Sequence, residues 1–281
     1  MLIAFILFVL GLSWGSFVNA LVWRLHEQTK SKKLNVKSKT PGINLSIVNG
    51  RSMCPDCRHL LAWYDLVPLF SWIALKGKCR YCKKPISPQY PTIELIAGIV
   101  FAGSYLLWPS VVHLNGQWLL LSTWLAASVG LLALAVYDLR WMILPNRIIY
   151  PTLAVAVAGR VGYIAAFENQ PLHAVLLWAG SIVISSGVFL ALFEFSKGKW
   201  IGYGDVRLGL ITGSLLADPA KSLAMIFIAS LIGTLVIIPS LRAGKRTLAS
   251  KLPFGPFLIA ATGIMVVFGD RLLDWYKNLI F

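Results

Sequence analysis

Charged residues are scarce in this sequence, and acidic residues are the scarcest. Of 281 residues, 13% are charged, with 11 Asp and Glu against 26 Lys and Arg, while 57% are hydrophobic. A soluble globular domain has about a quarter of its residues charged, so this composition excludes an ordinary soluble protein. The first apolar block runs from Met1 to Trp23 without a charge, and about 20 such residues can cross a bilayer. The sequence therefore predicts an integral membrane protein.

The first block lacks the basic residues that precede the apolar stretch of a cleaved signal peptide. It is also longer than the ~7–15 apolar residues that such a peptide usually has. Basic residues follow it instead, beginning at Arg24. This order favours a retained first span whose C-terminal end lies in the cytoplasm.

The pattern predicts an all-α polytopic membrane protein with about eight transmembrane helices. The apolar segments are 2–23, 92–109, 117–136, 149–167, 173–195, 206–217, 221–240 and 255–269. Connections that contain Lys and Arg alternate with connections that contain none, which places the N-terminus outside and the large basic loop inside. Arg271 and Lys277 favour a second topology, in which 206–217 does not cross and the C-terminus is cytoplasmic.

The net charge of +15 has its main source in the loop at 26–91, which holds twelve Lys and Arg. A basic cytoplasmic loop of this kind faces anionic membrane lipid. No nucleic-acid partner is predicted, because no recognition motif accompanies the charge. The chain thus divides into a first transmembrane helix (1–25), a cytoplasmic loop module (26–91) and a transmembrane core (92–281).

Cysteine is confined to this loop, where Cys54 and Cys57 form one Cys-x-x-Cys pair and Cys79 and Cys82 form a second. Two such pairs, 21 residues apart, predict a closed, structural zinc site with four thiolate ligands. Two disulfides are an alternative, which a reducing cytoplasm disfavours. Reactive redox pairs are another, but no thioredoxin-like strand–helix setting surrounds these cysteines.

Two of the few carboxylates lie at the predicted cytoplasmic membrane face. Asp138 ends the third apolar segment and Asp205 opens the sixth, and carboxylates at such positions are candidates for function. Each also has a simpler explanation: Asp205 could cap a helix N-terminus, and Asp138 could pair with Arg140 or Arg147.

The glycines before Asp205 favour a catalytic role. Gly202 and Gly204 would let the backbone bend and let a second chain approach the carboxylate, so we expect them to position a substrate. Two carboxylates a few Å apart cannot both ionise near neutral pH, so they would share a proton and activate a water. If Asp138 and Asp205 face each other, they could therefore act as the catalytic pair of an aspartic protease.

Taken together, the motifs resemble those of the type IV prepilin peptidases, which serve type IV pilus, type II secretion and competence systems. The resemblance runs from residue 15 to residue 257. It rests on Gly15-Ser-Phe-Val-Asn19, the two cysteine pairs, Leu66-Val-Pro68, Tyr90-Pro-Thr-Ile-Glu94-Leu, Asp138, Gly202-x-Gly204-Asp205 and Pro253-Phe-Gly-Pro256-Phe.

The resemblance implies cleavage of the basic leader of a prepilin or pseudopilin after a glycine, at the cytoplasmic face of the inner membrane. It further implies methylation of the new N-terminus with S-adenosylmethionine, an activity that the family associates with the cysteine-bearing loop. A peptidase without methylation and a non-catalytic scaffold or transporter are the alternatives. The chain departs from the family pattern at Lys199-Trp-Ile201, where many members have Glu-Gly-Met, at Arg207, where Lys is usual, and at Asn146, where Asp is common.

Overall fold

The structure is a computed structural model that describes residues 1–33, 46–47, 50–112, 116–242 and 252–280. Within these ranges it is helical, with no strand and two isolated β-bridges. Its α-helices are α1 (Leu2–Lys33), α2 (Phe70–Ala74), α3 (Gln89–Leu106), α4 (Gln117–Trp141), α5 (Asn146–Phe167), α6 (Pro171–Ser196), α7 (Tyr203–Leu216), α8 (Pro219–Arg242) and α9 (Gly255–Ile280). A short 3-10 helix, Trp63–Leu66, precedes α2.

Six of these helices, α1, α4, α5, α6, α8 and α9, are long and apolar enough to cross a membrane. The chain is therefore a multi-pass, all-helical membrane protein. Each of the eight predicted apolar segments coincides with a helix, and the remaining two are α3 and α7. At 14 residues, α7 is about 21 Å long, shorter than a hydrocarbon core of about 30 Å. Much of the basic loop's first part, at 34–45 and 48–49, and nearly all of the basic connection 241–251 lie outside the described residues.

The chain forms two compact units, Met1–Leu106 and Leu107–Phe281. The first unit contains α1, the cysteine-bearing loop, α2 and α3. The second contains α4 to α9. The structure thus groups α3 with α1.

In the first unit, α1 and α3 approach each other closely because glycine lies at their contact. A Cβ atom on Gly11 or Gly15 would overlap the backbone of α3 at Ala97 or Glu94. The two glycines are four residues apart and share one face of α1. Small residues at this spacing let helices in membranes approach backbone to backbone, so the first unit is organised around this contact.

In the second unit, α7 lies against α6 through a similar pair of glycines, Gly209 and Gly213. A Cβ atom on either would overlap the backbone of α6. Two buried α6 hydroxyls donate hydrogen bonds to α7 carbonyls: Ser181 to Gly213 at 2.8 Å and Ser186 to Val206 at 2.9 Å. The short helix is thus held by neighbouring protein, since α5 and α9 also contact it.

Candidate active site and metal centre

Asp138 lies in the last turn of α4, whose C-cap is Met142 in a left-handed conformation. Asp138 is 6% exposed. The backbone N–H of Gly255, the first residue of α9, donates a hydrogen bond to the Asp138 carboxylate at 3.2 Å. A Cβ atom on Gly255 would lie 2.7 Å from the same oxygen. The start of α9 therefore holds the carboxylate in place, and a side chain at position 255 would displace it.

Asp205 lies in the first turn of α7, three residues after its N-cap, Gly202. It is partly buried, and its carboxyl group is close enough to Asp138 for the two to interact electrostatically. The fold thus brings together the two carboxylates that the sequence singled out, 67 positions apart in the chain. A negative charge in the first turn of a helix is also favoured by the helix dipole, so the capping explanation accounts for part of its placement.

The simpler explanation for Asp138 is an ion pair with Arg140 or Arg147. The Arg140 guanidinium lies over the Trp141 ring, 5.7 Å from its centroid. The hydrogen-bond donor that the structure assigns to Asp138 is an uncharged backbone N–H from another helix. Burial of a carboxylate beside an uncharged partner costs free energy. This cost makes Asp138 a candidate for a functional role.

The glycines before Asp205 have ordinary backbone conformations and do not make a sharp bend. Gly202 has φ −79° and ψ 148°, which any residue can adopt. A Cβ atom on Gly204 would lie 3.1 Å from the side chain of Leu144 in the α4–α5 connection. A Cβ atom on Gly202 would lie 3.9 Å from the Asp205 carboxylate, with no other side chain as near. Gly202 therefore leaves open space beside Asp205, and Gly204 allows the α4–α5 connection to approach.

Two of the residues at which this chain departs from the prepilin peptidase pattern contact each other. Arg207 donates a hydrogen bond from its Nη1 atom to the side-chain oxygen of Asn146, the first residue of α5. The same guanidinium lies over the Tyr203 ring, 4.7 Å from its centroid. The first turn of α7, which carries Asp205, is therefore tied to the start of α5.

The four cysteines form a compact cluster in the first unit. Their sulfur atoms all lie within 4.8 Å of one another, and the Sγ atoms of Cys54 and Cys82 are 3.9 Å apart. In a tetrahedral site with metal–sulfur bonds of about 2.3 Å, neighbouring sulfurs are about 3.8 Å apart. The four thiols are thus arranged as the ligands of a metal ion would be, and they include no disulfide.

Each cysteine pair lies in the same kind of turn. The N–H of Arg58 donates to the carbonyl of Cys54 at 2.9 Å, and the N–H of Lys83 donates to that of Cys79 at 3.0 Å. Arg58 and Lys83 both have φ near +60°, a conformation that costs energy for residues other than glycine. The two Cys-x-x-Cys pairs therefore lie in two similar strained turns, and each turn presents two sulfur atoms. Paired turns of this kind can supply the four thiolate ligands of a zinc site.

The cluster holds thiols of unequal acidity. Burial raises the pKa of the Cys54 thiol to about 12. Burial also opposes ionisation of Cys79, but hydrogen bonds from the backbone N–H groups of Cys82 and Tyr81 outweigh it and lower that pKa to about 7. Because a metal ion binds thiolates, its binding would displace the protons that remain.

Sequence reasoning missed the part that Gly255 plays in the site. The residue was noticed within Pro253-Phe-Gly-Pro256-Phe, but as a landmark of the family and not as a partner of Asp138. The two residues are 117 positions apart, and no local pattern links them. A glycine followed by a proline at the start of a helix was the available signal that a backbone N–H had to approach another group closely.

Comparison with known proteins identifies the family of the chain. Residues 9–108 match the bacterial peptidase A24 N-terminal domain, and residues 125–238 match the type IV leader peptidase family. Proteins named prepilin leader peptidase/N-methyltransferase are similar over nearly the whole chain. The one from Stutzerimonas stutzeri is 31% identical over 98% of this chain and 94% of its own length, and the one from Bacillus subtilis is 31% identical over 98% of each.

No solved structure matches the chain significantly. Only residues 109–124 separate the two family matches. The alignment with this chain covers 94% and 98% of the length of the two relatives. The chain therefore belongs to the type IV leader peptidase family.

Proposed function

We propose that this protein cleaves the leader peptide of type IV prepilins or pseudopilins and then methylates the new N-terminus. Its family and the names of its relatives support both activities. The observation that carries the proposal is that Asp138 and Asp205 are close enough to interact electrostatically, with Asp138 held by the Gly255 N–H.

The aspartates act as a pair that shares one proton. The ionised carboxylate takes a proton from a water molecule, and the water oxygen attacks the peptide carbonyl carbon. The protonated carboxyl group gives its proton to the amide nitrogen, and the C–N bond breaks. The leader leaves with a new carboxyl terminus, the mature protein has a free amine, and the pair again holds one proton. The two residues titrate as a unit, so we assign neither as the acid.

The substrate occupies the open space at Gly202. A peptide backbone can approach the Asp205 carboxylate there because no side chain intervenes. Gly204 keeps the α4–α5 connection close behind the pair. We assign both glycines to positioning of the substrate and not to the chemical step.

The second activity uses S-adenosylmethionine, which supplies a methyl group to the neutral terminal amine as the carbon–sulfur bond breaks, leaving S-adenosylhomocysteine and a proton. The chain's part is to bind this cofactor and to hold the amine near it. The family likeness associates this activity with the cysteine-bearing loop.

The cysteine cluster holds one structural zinc ion, with Cys54, Cys57, Cys79 and Cys82 as its ligands. The spacing of the sulfurs supports this assignment, as do the two matching turns. All four ligand positions are taken by sulfur, so the ion stabilises the loop and does not bind substrate. A module this short has little core of its own, and metal binding supplies folding free energy instead.

The protein lies in the bacterial inner membrane, with about eight crossing helices and its active site facing the cytoplasm. The two helices added to the six long ones are α3 and α7. Contacts with α1 support the first, and contacts with α5, α6 and α9 support the second, because protein can cover a short or irregular span. The cysteine-bearing module at 26–91 is then cytoplasmic, between the first helix at 1–25 and the protease core at 92–281. Substrates enter from the surrounding lipid.

The test is mass spectrometry of a prepilin-type precursor incubated with the detergent-purified protein and S-adenosylmethionine. We expect cleavage after the leader glycine and one added methyl group on the new terminus. Asp138→Asn and Asp205→Asn variants should insert normally and leave the precursor intact. A variant of either aspartate that cleaves at the normal rate would exclude the paired mechanism.

The same experiment separates the alternatives. Cleavage without methylation, from protein shown to contain zinc, would indicate a peptidase alone. No cleavage by folded, zinc-containing protein would favour a non-catalytic scaffold or a transporter.

A further inference from the structure

A cavity in the second unit lies at the opposite end of α7 from the carboxylate pair. Asp205 is in the first turn of α7, whereas Leu216, the last residue of that helix, lines the cavity. The helix between these two residues is about 17 Å long, so peptide cleavage does not use the cavity. Residues of α4, α5, α6, α8 and α9 complete its wall. The lining includes Trp108, Gln117, Arg160, Asp218, Lys221 and Asp270.

The cavity is large enough to hold more than water. Its volume is about 310 Å³, whereas a single water molecule needs about 10–15 Å³ and small-molecule sites begin near 300 Å³. Leu177 of α6 lines the cavity and is 37% exposed. Because α6 is long and apolar enough to cross a membrane, an exposed residue on it faces lipid. The cavity therefore extends to the lipid-facing surface.

Arg160 is the most informative residue of this wall. Its Nε atom is buried and has no hydrogen-bond partner among the described residues, and its Nη2 atom reaches the Ala217 carbonyl only at 3.5 Å. The ion pairs within the described part of the chain do not include it. The Tyr163 ring, whose centroid is 5.7 Å away, compensates its charge only in part. A cation within a membrane-spanning helix is costly without a counter-ion, so the cavity suits a ligand that brings a negative charge.

Two carboxylates share the cavity with this cation without pairing with it. Asp218 directly follows Ala217, and its Oδ1 atom accepts a hydrogen bond from the Lys221 backbone N–H at 3.0 Å. Asp270 forms an ion pair with the Lys221 ammonium group at 2.7 Å. The lining thus contains two basic and two acidic side chains, and their charges sum to zero. A simple anion would meet both carboxylates, whereas a ligand that carries both a phosphate and an ammonium group would complement both signs.

We propose that this cavity binds the headgroup of a zwitterionic membrane phospholipid, which carries a phosphate and an ammonium group. The Nε and one Nη atom of Arg160 form a planar fork that suits two phosphate oxygens. The carboxylates of Asp218 and Asp270 accept hydrogen bonds from the ammonium group. The acyl chains leave the cavity past Leu177 and continue into the bilayer. This site is independent of leader cleavage and of methylation.

Thermal unfolding of the delipidated full-length protein in detergent tests the proposal, because a ligand that binds the folded state raises the melting temperature. Phosphatidylethanolamine at ten times its dissociation constant should raise it by about 3–6 °C. Phosphatidylglycerol, which has a phosphate but no ammonium group, should raise it less. Soluble phosphoethanolamine has the same headgroup chemistry, but it should need a far higher concentration because it has no acyl chains to bury.

Arg160→Met removes the guanidinium group and keeps a long side chain. It should weaken binding of phosphatidylethanolamine about tenfold or more, as loss of a hydrogen bond between charged groups does. The lipid-free variant should melt at the wild-type temperature or above it, because an apolar group replaces an unpaired cation. Arg271→Met is the matched control, since Arg271 is exposed, directly follows Asp270 and lies outside the lining. It should keep the full response to lipid.

Native mass spectrometry gives a second measurement that does not depend on melting. The wild-type protein should retain one phosphatidylethanolamine molecule, and Arg160→Met should lose it. Equal lipid responses in the wild type and Arg160→Met would overturn the proposal and leave Arg160 with a structural role only.

The wild-type protein alone provides two further tests, so the proposal stays falsifiable if Arg160→Met does not fold. A larger response to phosphatidylglycerol than to phosphatidylethanolamine would refute the zwitterionic headgroup. An equal response to soluble phosphoethanolamine at the same concentration would refute the lipid and assign the cavity to a soluble phosphate ester.

Discussion

Replacement of Gly255 by alanine should impair leader cleavage while leaving the fold intact. The added Cβ atom would lie 2.7 Å from the Asp138 carboxylate, and ordinary contacts begin at 3.4 Å. The carboxylate must therefore move by about 0.7 Å, which stretches its 3.2 Å hydrogen bond with the Gly255 N–H beyond useful range. A hydrogen bond to a charged group contributes about 1.5–3 kcal/mol. If it acts fully in the transition state, the loss lowers the cleavage rate about 10- to 150-fold.

The assay is the rate of leader removal from a purified precursor, measured alongside methylation of a synthetic peptide that already begins at the mature residue. Gly255→Ala should slow the first reaction and leave the second unchanged, because the family likeness associates methylation with the cysteine-bearing loop, which lies in the first unit. Gly187→Ala is the matched control. It also lies in a helix of the second unit, and its nearest neighbour to an added Cβ is a Val183 methyl group at 3.9 Å.

A Gly255→Ala protein that cleaves at the wild-type rate would refute the reasoning, because the carboxylate would then tolerate displacement. Equal loss of both reactions, together with a lower melting temperature, would show that Gly255 supports the fold and not the position of Asp138.

Other perturbations have equally definite outcomes. Cys57→Ser should reduce bound zinc, measured by elemental analysis, and should lower methylation more than it lowers cleavage. Equal loss of both activities would contradict a separate role for the module. Because a metal binds thiolates and the Cys54 pKa is about 12, zinc affinity should fall as the pH is lowered, and a chelator competition at pH 6 and pH 8 checks this direction. Gly213→Val should destabilise the protein by about 1–3 kcal/mol through overpacking against α6, measured by thermal unfolding. The control Gly162→Val should have a smaller effect, because the nearest atom to a Cβ added there is 3.6 Å away. Asn146→Asp should turn the hydrogen bond with Arg207 into an ion pair worth at most about 1 kcal/mol, so the cleavage rate should change little. A large fall in that rate would show that a neutral partner of Arg207 is needed.

Features encoded in short stretches of sequence were predictable. The apolar blocks correspond to helices because burial in lipid requires about 20 apolar residues in succession. The cysteine cluster followed from two local pairs, and its four sulfurs do converge. The positions of Asp138 and Asp205 at helix ends followed from the change of composition beside each. These signals need no knowledge of which helices pack together.

Features that depend on helix packing were not predictable. The hydrogen bond from Gly255 to Asp138 joins α9 to α4, and the sequence gives no register between these helices. Glu94 was noticed as part of a family motif, but its bond to the Leu69 N–H depends on how α3 meets the turn before α2. Gly202 and Gly204 were expected both to bend the chain and to let a second chain approach, and Gly202 has an ordinary backbone conformation without such a bend. In each case the missing information was which surfaces lie opposite each other.

The packing of α7 has a consequence for how the protein is made. A helix of 14 residues, with glycines along the face that contacts α6, is a weak candidate for independent partition into lipid. Its carbonyls at Val206 and Gly213 receive hydrogen bonds from α6 serines, and those serines are themselves costly in lipid without such acceptors. We therefore expect α6 and α7 to enter the bilayer together as a helical hairpin during synthesis. Asp205 would then enter the membrane with α7, and the apolar α6 would supply the free energy for inserting both helices.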